Sequence, residues 1–187
     1  MKHIVKGLVL VWILGALSFY GWLQISKPLN QGTEVPDSAK VLDRMEVDGA
    51  IDFEIETIDG KPFKLSDLKG KLILINFWAS WCDPCVEEFP SMLKLLETMG
   101  DDLVLVTVSA DYEMKELKKF LSIFDVKGDN FVAVWDKEKT ISNQYHIVAL
   151  PESFIIGKDF KLVRKVSGSE DWATPEAISF FKSFAAE

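Results

Sequence analysis

The only two cysteines of the chain lie close together, in the run Trp81-Cys82-Asp83-Pro84-Cys85. Two cysteines cannot form a disulfide framework, and a pair separated by two residues is typical of a redox or a metal site. Cys82 follows the apolar stretch 72–77 closely and opens a helical pattern that continues to residue 99. Because the first N–H groups of a helix lack backbone partners and the helix dipole is positive there, this position favours the reactive thiolate of Cys82. The pattern predicts a pair that closes and opens a short disulfide.

Three other uses of a cysteine pair compete with redox chemistry. A structural disulfide across this short loop would stabilise the fold by about 2 kcal/mol, in a domain long enough to have its own core. A zinc site needs about four ligands, whereas the chain beyond residue 26 offers two cysteines and His146. A c-type haem attachment site needs a histidine directly after the second cysteine, where Val86 stands. Redox chemistry is therefore favoured, and neither a cofactor nor a resident metal is expected.

The amino-terminal segment predicts export of the remainder of the chain. The uncharged apolar run 7–25 has 19 residues, which corresponds to about 28 Å of helix and is long enough to span a bilayer. Lys2 and Lys6 precede it and favour a cytoplasmic amino terminus. A cleaved signal peptide is the alternative, because residues 16–18 form a small-x-small site. We expect an uncleaved signal anchor over residues 1–26, a single pass through the cytoplasmic membrane, and a carboxyl-terminal domain on the periplasmic or extracytoplasmic side.

Composition and charge limit the classes of partner. The chain has 187 residues, 48% of them hydrophobic, and a formal net charge of −8. Residues 27–187 carry 19 basic and 29 acidic side chains. An acidic domain is a poor candidate for nucleic-acid binding, so no nucleic-acid partner is expected. Residues 27–48 are polar and contain two prolines, which predicts a tether before a domain at 49–187.

Hydrophobic periodicity in residues 49–187 predicts alternating strands and helices, followed by a late hairpin. An amino-terminal hairpin with a two-residue turn at Asp59-Gly60 is expected first. The further strands are expected at 72–77, 103–108, 131–135, 153–156 and 160–166, and the helices at 84–99, 113–124, 137–145 and 174–185. This order predicts an α/β domain of three layers with a central mixed sheet.

Several separated motifs resemble one family. The segment 76–85, with Pro90 five residues beyond Cys85, resembles the active-site segment of the thioredoxin superfamily. The motifs at 59–61 and 65–71, and Leu150-Pro151 before a strand, are similar to those of membrane-anchored TlpA/ResA-type, redoxin-like thiol-disulfide oxidoreductases. The resemblance covers roughly residues 50–186. It implies a thioredoxin-like fold and exchange of disulfides with other proteins.

The resemblance also implies roles for individual residues. Cys82 is the attacking nucleophile, and Cys85 is the resolving thiol that releases the substrate from a mixed disulfide. Pro151 matches the family's cis-proline, beside which the backbone of Leu150 can pair with an extended substrate segment. An ordinary loop proline is the alternative for Pro151. The residues expected to bind substrate are Trp81, Pro84, Leu150 and Pro151.

Carboxylates near the cysteines bear on proton transfer and on the direction of the reaction. Glu88 lies three residues after Cys85 on the same helical stripe, and a glutamate at this position in ResA-like reductases is thought to assist proton handling. A solvated helix glutamate is the alternative. Asn76 stands where thioredoxin has a buried aspartate, which shifts the role of proton acceptor onto Glu88. Asp83 and Glu152 place negative charge near the thiols and oppose thiolate formation, which favours a reductase.

The resemblance indicates an exported reductase of protein disulfides, with apocytochrome c as the suggested substrate and a membrane electron donor of the thiol-disulfide type. Two rival classes use the same cysteine pair. A copper chaperone would combine the cysteines with His146, and a non-catalytic module would only sense redox state. A thiol peroxidase is disfavoured, because no threonine-proline pattern leads into Cys82.

Overall fold

The computed structural model describes residues 12–22, 37–124, 126 and 128–185. The chain divides into two compact units, Met1–Val35 and Pro36–Glu187. In the first unit, residues 12–22 form a helix, α1, most of whose side chains are exposed. The rest of the apolar run 7–25 lies outside the described residues. Within the described ranges, no helix has the length and apolar character needed to cross a membrane.

The second unit contains the remaining elements. They are α2 (Asp37–Val47), β1 (Glu54–Glu56), β2 (Pro62–Lys64), β3 (Leu72–Trp78), α3 (Asp83–Met99), β4 (Leu103–Ser109), α4 (Met114–Leu121), β5 (Phe131–Trp135), α5 (Thr140–Gln144), β6 (Glu152–Ile156), β7 (Leu162–Ser167) and α6 (Pro175–Ala185).

Five strands form the central sheet in the order β5-β4-β3-β6-β7. Strands β3, β4 and β5 are parallel, because helical crossovers connect them. Strand β6 runs antiparallel to β3, and a tight connection through Gly157 returns the chain into β7. The predicted α/β fold with a mixed sheet is confirmed.

Strand β3 lies at the centre of the sheet and is buried along its whole length. Side chains of a strand alternate between the two faces of the sheet. One face packs against α3, α4 and α6, and the other packs against α2 and α5. Burial on both faces explains why β3 is a nearly continuous apolar run in the sequence. The residues directed to the first face are Leu72, Leu74 and Trp78, and those directed to the second are Ile73, Ile75 and Phe77.

Helix α2 occupies part of the segment 27–48, which the composition predicted to be a tether. Val41 is 3% exposed and Met45 is 0% exposed, and both pack into the core on the second face of the sheet. Residues four apart lie on the same side of a helix, so Val41 and Met45 both face the core, and half-buried Leu42 packs beside them. The compact unit accordingly begins at Pro36 and not at residue 49. The polar composition concealed a short amphipathic helix.

Strands β1 and β2 form the expected amino-terminal hairpin, but its turn has three residues and not two. The Thr57 N–H donates to the Lys61 carbonyl at 2.8 Å, and the Gly60 N–H donates to the Thr57 carbonyl at 2.9 Å. Gly60 has φ +77°, a conformation that glycine adopts without steric cost. Such a three-residue loop combines a type I turn with a left-handed residue. An isolated bridge between Thr57 and Val134 joins the hairpin to β5.

Helix α2 should contribute measurably to the stability of the full chain. Met45→Ala removes a fully buried side chain and should lower the free energy of unfolding by about 2 to 5 kcal/mol. The measurement is chemical denaturation of the full chain in detergent, followed by tryptophan fluorescence. Glu46→Ala, on the exposed side of the same helix, is the control and should have a small effect. Equal stability of the two variants would contradict the packing of α2 against the sheet.

Candidate active site

The cysteine pair lies where β3 passes into α3. Cys82 is the residue directly before the first turn of α3, with extended backbone angles of φ −95° and ψ 101°. Its N–H donates to the Ala79 carbonyl at 3.1 Å, and its carbonyl accepts from the Val86 N–H at 3.0 Å. Pro84 lies in the first turn of the helix, where no intrahelical partner for an N–H is needed. Cys82 and Cys85 form a disulfide, with Cα atoms 5.3 Å apart.

The two sulfurs differ in their access to solvent. Cys82 is 7% exposed, whereas Cys85 is 0% exposed and packs in the core beneath α3. An incoming protein can therefore reach Cys82 first. This asymmetry agrees with the expected division of roles, in which Cys82 attacks and Cys85 resolves.

Asp111, which was not identified from the sequence, holds the loop that carries Cys82. It lies two residues beyond the end of β4 and is 2% exposed. Its carboxylate accepts hydrogen bonds from the Ser80 N–H at 3.0 Å, the Ser80 hydroxyl at 2.6 Å and the Ser109 hydroxyl at 2.7 Å. Three donors at one buried carboxylate compensate for its lost hydration. Asp111 is thus a positioning residue for the loop 79–82, and its place after a buried strand was the only sequence signal.

A groove of about 340 Å³ opens beside Cys82. Trp81 and Leu150, two of the residues expected to bind substrate, line it together with Cys82. The Leu150–Pro151 peptide bond is cis, as expected. Pro151 is buried, its carbonyl accepts from the Gly168 N–H at 2.9 Å, and neither it nor Pro84 is among the described residues that line the groove. The substrate-binding roles stay predictions.

Trp81, which lines this groove, belongs to an exposed aromatic pair. Trp81 is 50% exposed and stacks on Tyr112, which is 67% exposed. The ring centroids are 5.7 Å apart and the rings are inclined by 18°. Tyr112 was not identified from the sequence, since it lies 31 residues beyond Trp81 in an irregular segment. Exposed aromatic rings next to a reactive cysteine are suited to contact a partner protein.

Glu88 is buried in a network of hydrogen-bond donors. It is 3% exposed, so the alternative of a solvated helix carboxylate is wrong. Its Oε1 accepts from Asn76 Nδ2 at 2.9 Å, and its Oε2 accepts from the Glu170 N–H at 3.1 Å and Trp172 Nε1 at 3.3 Å. Asn76 Nδ2 also donates to the Ser153 hydroxyl at 2.9 Å. These contacts join α3 to β3, to β6 and to the segment after β7.

Burial raises the pKa of Glu88 above its ordinary value, and the three hydrogen bonds to the carboxylate only partly oppose this effect. The nearby negative charge of Glu170 also raises the pKa. A raised pKa brings a carboxyl group closer to the pH at which the protein works. Such a group is suited to take up and release a proton. Its expected role as proton acceptor for Cys85 stays a prediction.

Glu152 does not contribute an uncompensated negative charge, contrary to the argument from the sequence. It is buried, and its Oε2 lies 2.9 Å from Lys165 Nζ on the neighbouring strand β7. The lysine offsets the charge of the carboxylate. Asp83 is exposed in the first turn of α3, where the helix dipole favours an acid. Of these two acids, only Asp83 therefore remains as a negative charge near the thiols that favours a reductase.

His146 lies in the loop after α5, is exposed and has φ +50°. Among the residues that the structure describes, no group of three or more histidine, cysteine, aspartate or glutamate residues could hold a metal ion.

The buried position of Glu88 predicts a specific dependence of stability on pH. Because its pKa is raised in the folded state, the folded protein keeps a proton that the unfolded chain has lost. The free energy of unfolding should therefore fall as the pH rises from 4.5, the ordinary value, through the raised pKa, and this loss should be absent in Glu88→Gln. Denaturation of the oxidised full chain between about pH 4.5 and pH 8 measures the difference between the two curves.

The absolute free energy of unfolding of Glu88→Gln does not test the prediction, because the new amide nitrogen faces N–H donors and destabilises the variant at every pH. The diagnostic quantity is the gap between variant and wild type, which should widen in favour of the variant as the pH rises. Glu87→Gln removes the same formal charge at an exposed position of α3 and should run parallel to the wild type. A Glu88→Gln curve that is also parallel would contradict the effect of burial on this carboxyl group.

Comparisons with known proteins agree with this geometry. The model of the AhpC/TSA family matches residues 47–165. The chain is 31% identical over 166 residues to the thiol-disulfide oxidoreductase ResA of Bacillus subtilis, covering 87% of this chain and 81% of that protein. ResA of Bacillus cereus is 30% identical over 164 residues, covering 87% of this chain and 84% of that protein.

A solved structure extends the similarity to the fold. The crystal structure of a putative thiol:disulfide interchange protein DsbE from Chlorobium tepidum superposes with a TM-score of 0.62 and 26% identity. It covers 74% of this chain and 93% of that protein. The paired cysteines at the start of α3 are the feature that can carry out the exchange named in these relatives. The chain therefore belongs to the AhpC/TSA family of thioredoxin-like proteins and is a thiol-disulfide oxidoreductase similar to ResA.

Proposed function

We propose that the protein is a membrane-tethered reductase of disulfides in exported proteins, with apocytochrome c as its substrate. The observation that carries the proposal is the unequal exposure of the two cysteines beside a groove. Cys82 opens to the groove that contains Leu150, whereas Cys85 is enclosed by the core. An accessible attacking thiol next to an inaccessible resolving thiol is the arrangement that dithiol exchange needs.

In the first step, the Cys82 thiolate of the reduced enzyme attacks one sulfur of a substrate disulfide. An S–S bond forms between Cys82 and the substrate, and the other substrate sulfur leaves as a thiolate, which takes up a proton. The helix start stabilises the Cys82 thiolate through its unpaired N–H groups and its dipole. The backbone of Leu150 can pair with the extended substrate segment in the groove.

In the second step, Cys85 attacks the Cys82 sulfur and releases the second substrate thiol. The Cys82–Cys85 disulfide forms, and two electrons have passed from the enzyme to the substrate. Cys85 must lose its proton before it attacks, and the buried carboxylate of Glu88, three residues further along α3, is the proposed acceptor. Hydrogen bonds from Asn76 and Trp172 fix the orientation of this carboxylate.

A membrane electron donor of the thiol-disulfide type then reduces Cys82–Cys85 again. The apolar run 7–25 is the proposed signal anchor, with Lys2 and Lys6 on the cytoplasmic side and the catalytic domain on the extracytoplasmic side of the cytoplasmic membrane. Tethering confines the domain to a volume near the membrane and raises its effective concentration toward this donor. With no other cysteine in the chain, both electrons must come from outside it.

Apocytochrome c is proposed as substrate because the TlpA/ResA-type resemblance points to it. Its haem-attachment cysteines form a vicinal pair, and they must be reduced before haem is attached. An exported reductase kept near the membrane meets this requirement. Asp83 next to Cys82 supports the reducing direction, since negative charge near the thiols makes the reduced pair a better electron donor.

Replacing each cysteine in turn should separate their roles. Cys85→Ala should accumulate a mixed disulfide with substrate, because the resolving thiol is absent, whereas Cys82→Ala should trap none. The measurement is non-reducing electrophoresis after incubation of the reduced variants with a disulfide-bonded apocytochrome c fragment.

Wild-type protein that has been reduced and then freed of reductant is the control and should release the fragment in its reduced form, while its own cysteine pair becomes a disulfide. Equal trapping by both variants would contradict the assignment of roles. A wild type that reduces neither the fragment nor insulin, while Cys82→Ser leaves function in the cell intact, would favour the non-catalytic class.

A further inference from the structure

One charged residue lines the groove beside Cys82, and it is a lysine. The remaining lining residues are apolar or neutral, so Lys139 is the one charged side chain on the lining of the groove among the described residues. The lining residues that the proposal uses are Cys82, Ile147 and Val148.

The backbone at Lys139 has an unusual conformation, which hydrogen bonds of the neighbouring turn hold in place. Lys139 has φ +55° and ψ 28°, a left-handed conformation that side chains other than glycine and asparagine rarely adopt. Residues held in such conformations cluster at functional sites. The turn is fixed by buried Asp136, whose carboxylate accepts from the Ile141 N–H at 3.2 Å and from the Ser142 N–H and hydroxyl at 2.7 Å each. The Lys139 N–H donates to the Asp136 carbonyl at 2.9 Å.

The charge of Lys139 lies near an aromatic ring and not near an acid. Its Nζ lies 5.9 Å from the ring centroid of Tyr112, which stacks on Trp81. Within the part of the chain that the structure describes, no carboxylate forms an ion pair with Lys139. In the same loop, Lys137 Nζ lies 3.9 Å from Glu138 Oε1. The lysine in the groove therefore keeps its charge available to a partner.

We propose that Lys139 is a specificity-determining residue that selects substrate disulfides with an acidic side chain beside the attacked cysteine. The occupant of the groove is an extended segment of the substrate protein, with its apolar side chains against Ile147 and Val148 and its carboxylate at Lys139. The inference rests on the proposed reductase function and deepens it by naming the substrate class.

Charge complementarity supports this occupant. The domain is acidic as a whole, and exposed Asp83 adds a negative charge next to Cys82. Because its surroundings are acidic, the positive charge of Lys139 attracts and orients an acidic substrate segment. Asp83 disfavours the opposite placement, in which the acidic side chain of the substrate would lie near Asp83. Since Lys139 is exposed, the attraction is modest. It should change the rate of mixed-disulfide formation by about two- to fivefold.

The test uses three disulfide-bonded peptides that differ only in the residue beside one cysteine, which is glutamate, glutamine or lysine. The rate of mixed-disulfide formation is measured with the reduced Cys85→Ala chain, in which this step is isolated. Glutamate should be preferred over glutamine, and glutamine over lysine. Lys139→Glu should reverse the order, and Lys139→Arg should preserve it. Lys139→Asn, whose side chain tolerates the left-handed backbone, should abolish the preference.

The ratio of rates between peptides is the decisive quantity. A general effect of Lys139 on the Cys82 thiolate would change all three rates alike and cancel in the ratio. Lys137→Glu alters the same charge in the same loop but outside the groove, and it should leave the ratios unchanged. High salt should reduce the preference of the wild type, because the charges are exposed.

Unchanged ratios in Lys139→Glu, or ratios that change equally in Lys137→Glu, would overturn the proposal. Its failure is distinct from failure of the proposed function. If the wild type cannot complete the reduction of any peptide, the reductase proposal fails, while the trapping rates in the Cys85→Ala chain still decide the role of Lys139.

Discussion

The passage from β3 into α3 is the constraint on which the rest of the site depends. Strand β3 is buried on both faces and hydrogen-bonded between β4 and β6, so its carboxyl-terminal end cannot shift without disrupting the core. The end of parallel β4 and the start of antiparallel β6 meet it at the same edge, with Trp78 opposite Ser109 and Phe77 opposite Glu152. This topology brings Asp111 and Pro151 to the edge where Cys82 opens α3. The combination of a parallel and an antiparallel neighbour of β3 thus brings the parts of the site together.

Buried polar groups then determine how α3 lies over this edge. Glu88 receives hydrogen bonds from β3 and from the segment before α6, so one carboxylate connects three parts of the chain. The carboxylate oxygens of Glu88 and Asn76 Nδ2 are paired in this network, whereas the buried Asn76 Oδ1 has no hydrogen-bond partner among the described residues. The same burial that makes Glu88 structurally expensive raises its pKa and suits it to carry a proton. The packing of α3 and the raised pKa of Glu88 therefore have one structural cause.

Local sequence patterns predicted the elements that have strong periodicity or a distinctive motif. Strand 131–135 and the helix over the cysteines were predicted nearly to the residue, since continuous apolar runs and helical stripes need no distant partner. Helix α2 was missed because its few apolar anchors, Val41, Leu42 and Met45, pack against residues that are distant in the sequence. Asp111 contacts Ser80 over 31 residues of sequence, and the lysine that compensates Glu152 comes from the next strand. Such contacts depend on the tertiary fold and have no local signature.

A reductase passes electrons from Cys82 and Cys85 to its substrate, so the redox state of this pair in the cell reveals the direction of electron flow. Alkylation of cells quenched with acid gives this state, and equilibration of the protein with glutathione or dithiothreitol gives the reduction potential. We expect a pair held largely reduced, with a potential near that of thioredoxin, about −270 mV. A pair held oxidised, with a potential of about −120 mV, would identify an oxidase and exclude a reductase.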